Sequence, residues 1–340
     1  MKSFWELGSY LKNNLLLVIP LTAFLAVVMG NFNDLSHLKS MILPMTILIV
    51  LPMMIDIPLK SVLSWSDTRV LGSAMILNYS AIPLIGYFLT VLFFKDNMTF
   101  GLGLLMLALL PTSGGMTIAW TSYAEGNVQA SIKMTVLGLL SGAVIAPFYI
   151  KILMGNTLLI PLNKIIQQVT IIVFIPLVVG QIVRYLYVDR MSEQTYSKNI
   201  KPKLSVLSVF GLIGLIFIAL GLKAKTITND PIVILKLIPP IVLFYLFTYF
   251  LTCAFGKLFF SREDAISLVY STALRSLGLA LSLSLTVLGE QGAEIALMIS
   301  LAYIVQIQFA TWFMGLSKIV FSNSMSFGNK KKTKVLGAGI

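Results

Sequence analysis

The sequence predicts an all-α polytopic membrane protein of ten transmembrane helices, arranged as a 5+5 inverted repeat. Three observations point there. The 340 residues are 57% hydrophobic and 11% charged, too little charge to cover a water-soluble surface. Apolar runs recur along the whole chain, each near the ~20 residues that cross a hydrocarbon core as a helix. These runs lack the period-two alternation of barrel strands, so their backbone groups must pair within helices.

The runs lie near 13–30, 40–57, 70–94, 100–124, 128–154, 164–187, 204–222, 232–256, 265–289 and 294–319. Lys2 and Lys12 precede the first, as in a signal peptide, but Asn31-Phe32-Asn33-Asp34 offers no small-x-small cleavage site. It reads as a retained span. His37 falls in an outer loop. The third run carries Asn78, which either lines a cavity or caps a neighbouring helix. The fifth carries Lys133, which either snorkels to the membrane boundary or edges a site with Ser131 and Thr135. The longest polar connection, Asp189 to Lys203, follows the sixth run. The eighth holds Lys236 near its outer end and Cys253, whose solitude excludes an intrachain disulfide and Cys-rich metal sites.

The net charge of +12 does not point to nucleic acid, because most of the lysines and arginines sit in loops and tails. With both termini cytoplasmic, about 17 of them fall inside and about 6 outside, a bias that fits this orientation; the expected location is the plasma (inner) membrane. Lys330, Lys331, Lys332 and Lys334 form a basic tail suited to anionic membrane lipids. Five spans are an odd number, so the second half enters the membrane opposite to the first. The expected organisation is 1–155, 160–320 and a cytoplasmic tail over 321–340.

The fourth and ninth runs occupy matching places in the two halves, and both are interrupted. The fourth holds Leu110-Pro-Thr-Ser-Gly-Gly-Met116, where Pro111 removes a donor and Gly114 and Gly115 add freedom. Thr112, Ser113, Thr117 and Thr121 bring hydroxyls. A second half-helix beginning here directs its positive end at the membrane centre, which suits an anion; a proline kink satisfied by neighbouring hydroxyls is the competing reading. The ninth holds Ser271, Thr272, Arg275 and Ser276, with Gly278 and Ala280 permitting close packing and Ser282 and Ser284 as packing hydroxyls. Arg275 stands about ten residues into its run, roughly 15 Å deep and near the midplane. An arginine there costs at least ~2.5–3.5 kcal/mol, and a functional site is the default explanation. All thirteen acidic residues fall in loops or near span ends. Arg275 therefore takes backbone carbonyls, water or a bound anion, and the reading adopted is an anion with carbonyls as resting partners.

Pro111-Thr-Ser-Gly-Gly-Met-Thr117, then Tyr123-Ala-Glu-Gly-Asn127 and Ser131 to Thr135, resemble the bile acid:sodium symporter superfamily, in the branch with arsenical-resistance permeases. The resemblance runs through nearly all ten spans. It implies a panel from the first, second, sixth and seventh spans, a core from the rest, and broken fourth and ninth spans crossing near the midplane. In sodium-coupled members, fourth- and fifth-span hydroxyls, an asparagine, and a ninth-span glutamate and glutamine hold sodium. Thr117, Ser131 and Thr135 keep the hydroxyls here, but the other places read Ile118, Ser271 and Arg275. A fixed guanidinium there opposes a cation. Arsenite-efflux members use a fourth-span cysteine and a ninth-span glutamate, and those places read Thr112 or Ser113 and Gly278.

The expected function is therefore secondary active or facilitative transport of a small anionic solute. Arsenite efflux is the alternative, and an anion channel is less favoured. An intramembrane enzyme would need paired carboxylates, a Ser/His pair or a metal cluster at depth, none of which the sequence offers. No cofactor and no metal are expected.

Overall fold

The computed structural model describes residues 2–59, 66–95, 97–110, 112–154 and 162–322. The basic tail and Pro111 lie outside the described residues. The chain is nearly all helical. An amphipathic α1 (Lys2–Asn13) leads into α2 (Leu15–Phe32), α3 (Ile42–Asp56), α4 (Thr68–Tyr79) and α5 (Ala81–Phe93). Next come α6 (Met98–Leu109), α7 (Gly114–Tyr123) and α8 (Val128–Met154). Then α9 (Leu162–Val169) and α10 (Ile175–Val183) join through the π-helical turn Thr170–Phe174, and the short α11 (Glu193–Thr195) precedes α12 (Lys201–Leu222). After α13 (Ala224–Asn229) come α14 (Ile232–Phe259), α15 (Arg262–Ala273), α16 (Leu277–Val287) and α17 (Gly289–Val320).

Eight of the described stretches are long and apolar enough to cross a membrane, from Leu15–Phe32 to Gln291–Val320, so the chain is a multi-pass membrane protein. The predicted runs at 100–124 and 265–289 are different. Each holds two shorter helices, α6 with α7 and α15 with α16. Side chains such as Leu17, Phe24, Phe250 and Ile319 are 65–73% exposed on the outer faces, as expected where the solvent is lipid.

α12 packs against α1, α2 and α3, and α10 packs against α3. Small residues allow the approach: a Cβ on Gly30 of α2 would stand 2.3 Å from the Gly221 carbonyl of α12. The C-terminal carbonyls of α3 have no partners within their own helix. Gln181 Nε2 donates to Met54 O at 2.8 Å and Ile57 O at 3.0 Å, and Arg184 Nη1 donates to Ile55 O at 3.0 Å. Elsewhere α15 lies against α4, α7, α8 and α14, and α17 against α6, α14 and α16. α15 starts where Ser261 Oγ accepts from the Asp264 N–H, with Glu263 and Asp264 complementing the dipole of its first turn. From Ala265 to Ala273 every residue of α15 is buried, so this helix carries the break at its end into the protein interior.

Candidate functional site

Leu110 and Leu274, the residues that follow α6 and α15, are both extended, with ψ of 152° and 108°. These extended segments pair. Thr112 and Arg275 form an antiparallel backbone bridge, the only such pairing among the described residues. The Ser113 N–H donates to Leu274 O at 2.8 Å, and Thr112 Oγ1 donates to Ser271 O at 2.6 Å. Polar backbone at membrane depth requires protein or a wet cavity around it, and here each segment supplies part of the other's hydrogen bonding. α7 and α16 both begin at this junction, so two positive helix ends face it.

Arg275 is 2% exposed. Its Nη1 donates to Leu110 O at 3.2 Å, while Nε and Nη2 have no hydrogen-bond partner among the described residues. Nor does any described carboxylate form an ion pair with it. Its backbone is held by Gln306 of α17, which is fully buried. Gln306 Oε1 accepts from Arg275 N at 2.8 Å and from Tyr245 OH at 2.9 Å, while Nε2 donates to Arg275 O at 3.2 Å. Sequence reasoning missed Gln306. The available signal was a pair of amides, Gln306 and Gln308, in the middle of the run at 294–319, of the same kind that singled out Asn78. Gln306→Leu strips three buried polar groups of a partner and is expected to destabilise the protein by roughly 3 kcal/mol or more. A thermal melt in detergent checks this, and an unchanged midpoint would remove Gln306 from the support of the junction.

The other predicted residues distribute unevenly. Thr117, Thr135 and Ser271 are buried, with hydroxyls that lack partners among the described residues. A Cβ on Gly114 would stand 3.6 Å from Thr135 Cγ2, and one on Gly138 3.1 Å from Thr112 Oγ1, so this stretch of α8 lines the junction. Gly115 is exposed with open space around its Cβ position, which makes it the open edge of the break. Ser276 is buried just ahead of α16. Thr272 turns to its own helix, donating to Leu268 O at 2.7 Å. Ser131 shares a hydrogen bond with Thr121 at 2.9 Å. Asn78 is buried, with neither amide atom bonded among the described residues, so it caps no described helix.

Lys133 requires a correction. It neither snorkels nor edges the junction. Residues two apart on a helix face nearly opposite ways, so Lys133 points away from Ser131 and Thr135. It is 1% exposed and pairs with Asp67 Oδ2 at 2.9 Å, with further bonds to Ser66. Asn127 extends the cluster: Nδ2 donates to Asp67 Oδ1 at 3.0 Å and Asp264 Oδ1 at 2.9 Å, and Oδ1 accepts from Ala130 N at the start of α8. Asp67 sits just ahead of α4 in the left-handed region, at φ 65°. Partial burial pushes its carboxyl up, but donors on Lys133, Ser66 and Asn127 outweigh this and hold it below the ordinary carboxylate value. The cluster fastens α4, α8 and α15 together beside the broken segment.

Known proteins resemble this chain over part of its length. It is 22% identical over 241 residues to the arsenical-resistance protein Acr3 of Corynebacterium glutamicum, a match covering 67% of this chain and 65% of that protein. It is 25% identical over 187 residues to sodium/bile acid cotransporter 7 of Rattus norvegicus, covering 53% and 52%. It is 24% identical over 197 residues to an uncharacterized transporter of Synechocystis, covering 57% and 51%. The chain thus spans about half to two thirds of the length of these relatives. The family model of the sodium bile acid symporters matches residues 43–230, from α3 through α7 and α8 to α13, and on that match the chain belongs to the sodium bile acid symporter family.

Proposed function

We propose that this protein is a secondary active or facilitative transporter that carries a small anionic solute across the plasma membrane by alternating access. The observation that carries the reading is Arg275: a guanidinium 2% exposed, facing no described carboxylate, with two nitrogens lacking described partners beside a break where two helices begin. An anion supplies the missing acceptors, and both helix ends favour its charge. The binding residues are Thr112, Ser113, Gly114, Gly115, Thr117, Ser271, Thr272, Arg275 and Ser276, with Asn78, Ser131 and Thr135 lining the cavity. Arg275 binds the charge. The hydroxyls of Thr117 and Ser271 offer further hydrogen bonds, whereas the Thr272 hydroxyl already donates to Leu268 O.

In this reading the chain has ten spans in two inverted halves, 1–155 and 160–320, with both termini cytoplasmic and a basic tail over 321–340 against lipid. α2, α3, α9 with α10, and α12 make a panel, and a core of α4–α8 and α14–α17 rocks against it around the crossed breaks. The packing of α12 on α2 and α3 and of α15 on α4, α7 and α8 supports that division.

Sodium coupling is not part of the proposal. The hydroxyls of Thr117 and Thr135 are available to a cation, but Arg275 brings a fixed positive charge to the same junction. A thermal-shift screen against carboxylates, sulfonated anions, arsenate and arsenite, with sodium or potassium as the cation, is expected to show stabilisation by an anion equally in both. Uptake of that anion into proteoliposomes is expected to be equally indifferent to sodium. A sodium-specific shift overturns the charge argument. The likeness to an arsenical-resistance protein supports arsenite efflux as a second reading. The chain's only cysteine, Cys253, lies on α14 rather than in either break, so capture of arsenite would have to use oxygen ligands. Stabilisation by arsenite alone, with no response to the anions, would favour that reading.

A further inference from the structure

α1 is not a spanning helix. It exposes Leu7 and Tyr10 and docks on the first half of α12, with the half-exposed Phe4 at the edge of the contact. Gly8 makes the docking close: a Cβ there would stand 2.2 Å from Val206 Cγ1. Phe4 stacks on Phe210, with ring centroids 4.8 Å apart. Exposed apolar side chains immediately before the first span place α1 in the membrane–water boundary.

Where α1 crosses α12 there is a cleft of about 260 Å³, lined among others by Trp5, Ser9, Lys198, Asn199 and Lys203. Lys203 Nζ lies 5.7 Å from the Trp5 ring centroid. The neighbouring Lys201 is committed to Asp56, at 3.3 Å, whereas Lys198 and Lys203 have no carboxylate partner among the described residues. The indole N–H and both ammonium groups donate and do not accept, while Ser9 and Asn199 can donate as well. Such a set calls for an acceptor-only, negatively charged ligand. Its position, with exposed apolar side chains alongside, calls for a ligand that carries acyl chains.

We propose that this cleft binds the phosphate headgroup of an anionic phospholipid, with Lys198 and Lys203 as its cationic ligands and Trp5 and Ser9 as flanking donors. The site is separate from the broken helices and does not depend on what the protein transports. The bound lipid would fix α1 against α12 at the point where the first span begins.

Native mass spectrometry of the full chain in a neutral detergent, titrated with dioleoyl phosphatidylglycerol or dioleoyl phosphatidylcholine, tests this. The wild type is expected to retain one phosphatidylglycerol in preference to phosphatidylcholine. Each lysine near an anionic headgroup contributes enough that Lys198→Gln with Lys203→Gln should weaken retention about thirtyfold. Both lysines are exposed, so the variant should fold, and the exposed Lys318→Gln serves as a control that keeps the preference. Equal retention of the two lipids, or an unchanged preference in the double variant, overturns the proposal. Displacement of the lipid by millimolar inorganic phosphate also overturns it, since the cleft would then be a site for soluble anions.

Discussion

An Arg275→Gln variant is expected to lose anion binding by at least ~100-fold and to transport nothing measurable, yet to unfold no more readily than the wild type. The two effects have opposite origins. A bound anion would receive charge-assisted hydrogen bonds from nitrogens that have no described partner, each contributing about 1.5–3 kcal/mol. Without the anion, the guanidinium is a buried charge with one described side-chain hydrogen bond, to Leu110 O, and burial of such a charge opposes folding. Glutamine relieves that cost and leaves the backbone bridge to Thr112 and the bonds to Gln306 in place. Measuring the unliganded melting point and the anion-dependent shift on one sample separates the two effects. A variant that melts far below the wild type without ligand would make Arg275 a structural residue. Retained uptake would end the anion reading.

Asp67→Asn is expected to lower stability by about 3–5 kcal/mol, because it leaves Lys133 charged, 1% exposed and without its counterion. Adding Lys133→Met to Asp67→Asn should recover most of the loss, since removing both charges removes the uncompensated one. The pH dependence follows from the depressed carboxyl. Its contribution is fully present above the unfolded value near ~3.9 and disappears as the pH falls through the lower folded value. The wild-type melting point should therefore hold from neutral pH down to about 4 and drop below it, and Asp67→Asn should lack that part of the acid sensitivity. Thermal melts of the wild type and the two variants across that range give the answer. A single variant as stable as the wild type would show that Lys133 reaches water by another route.

Part of the candidate site was readable in the chain because its signals are local. Pro111, Gly114 and Gly115 disfavour an unbroken helix by their own backbone chemistry, and α6 ends and α7 begins around them. Arg275 stood out because a guanidinium in an apolar run is expensive wherever the neighbours lie. Lys133 stood out for the same reason, but its role was misread. Hydropathy measures depth along one helix, and the carboxylate that meets Lys133 comes from 66 residues earlier. Thr272 is a candidate ligand by its type and position, and only the fold shows that its hydroxyl donates to its own helix.

The sequence by itself determined the multi-pass helical build, the two interrupted runs, the cost of Arg275 and the family resemblance, because each depends on residue type and spacing within one segment. Only the tertiary structure decided what those residues touch. It joined Thr112 to Arg275, set Gln306 behind the arginine from 31 residues away, and brought Leu110 O to the guanidinium across 165 residues. It also gathered Asp67, Asn127, Lys133 and Asp264 into one cluster. The physical reason is that buried polar groups must find partners, and those of Arg275, Lys133 and Asn127 come from other segments, at separations no local pattern encodes.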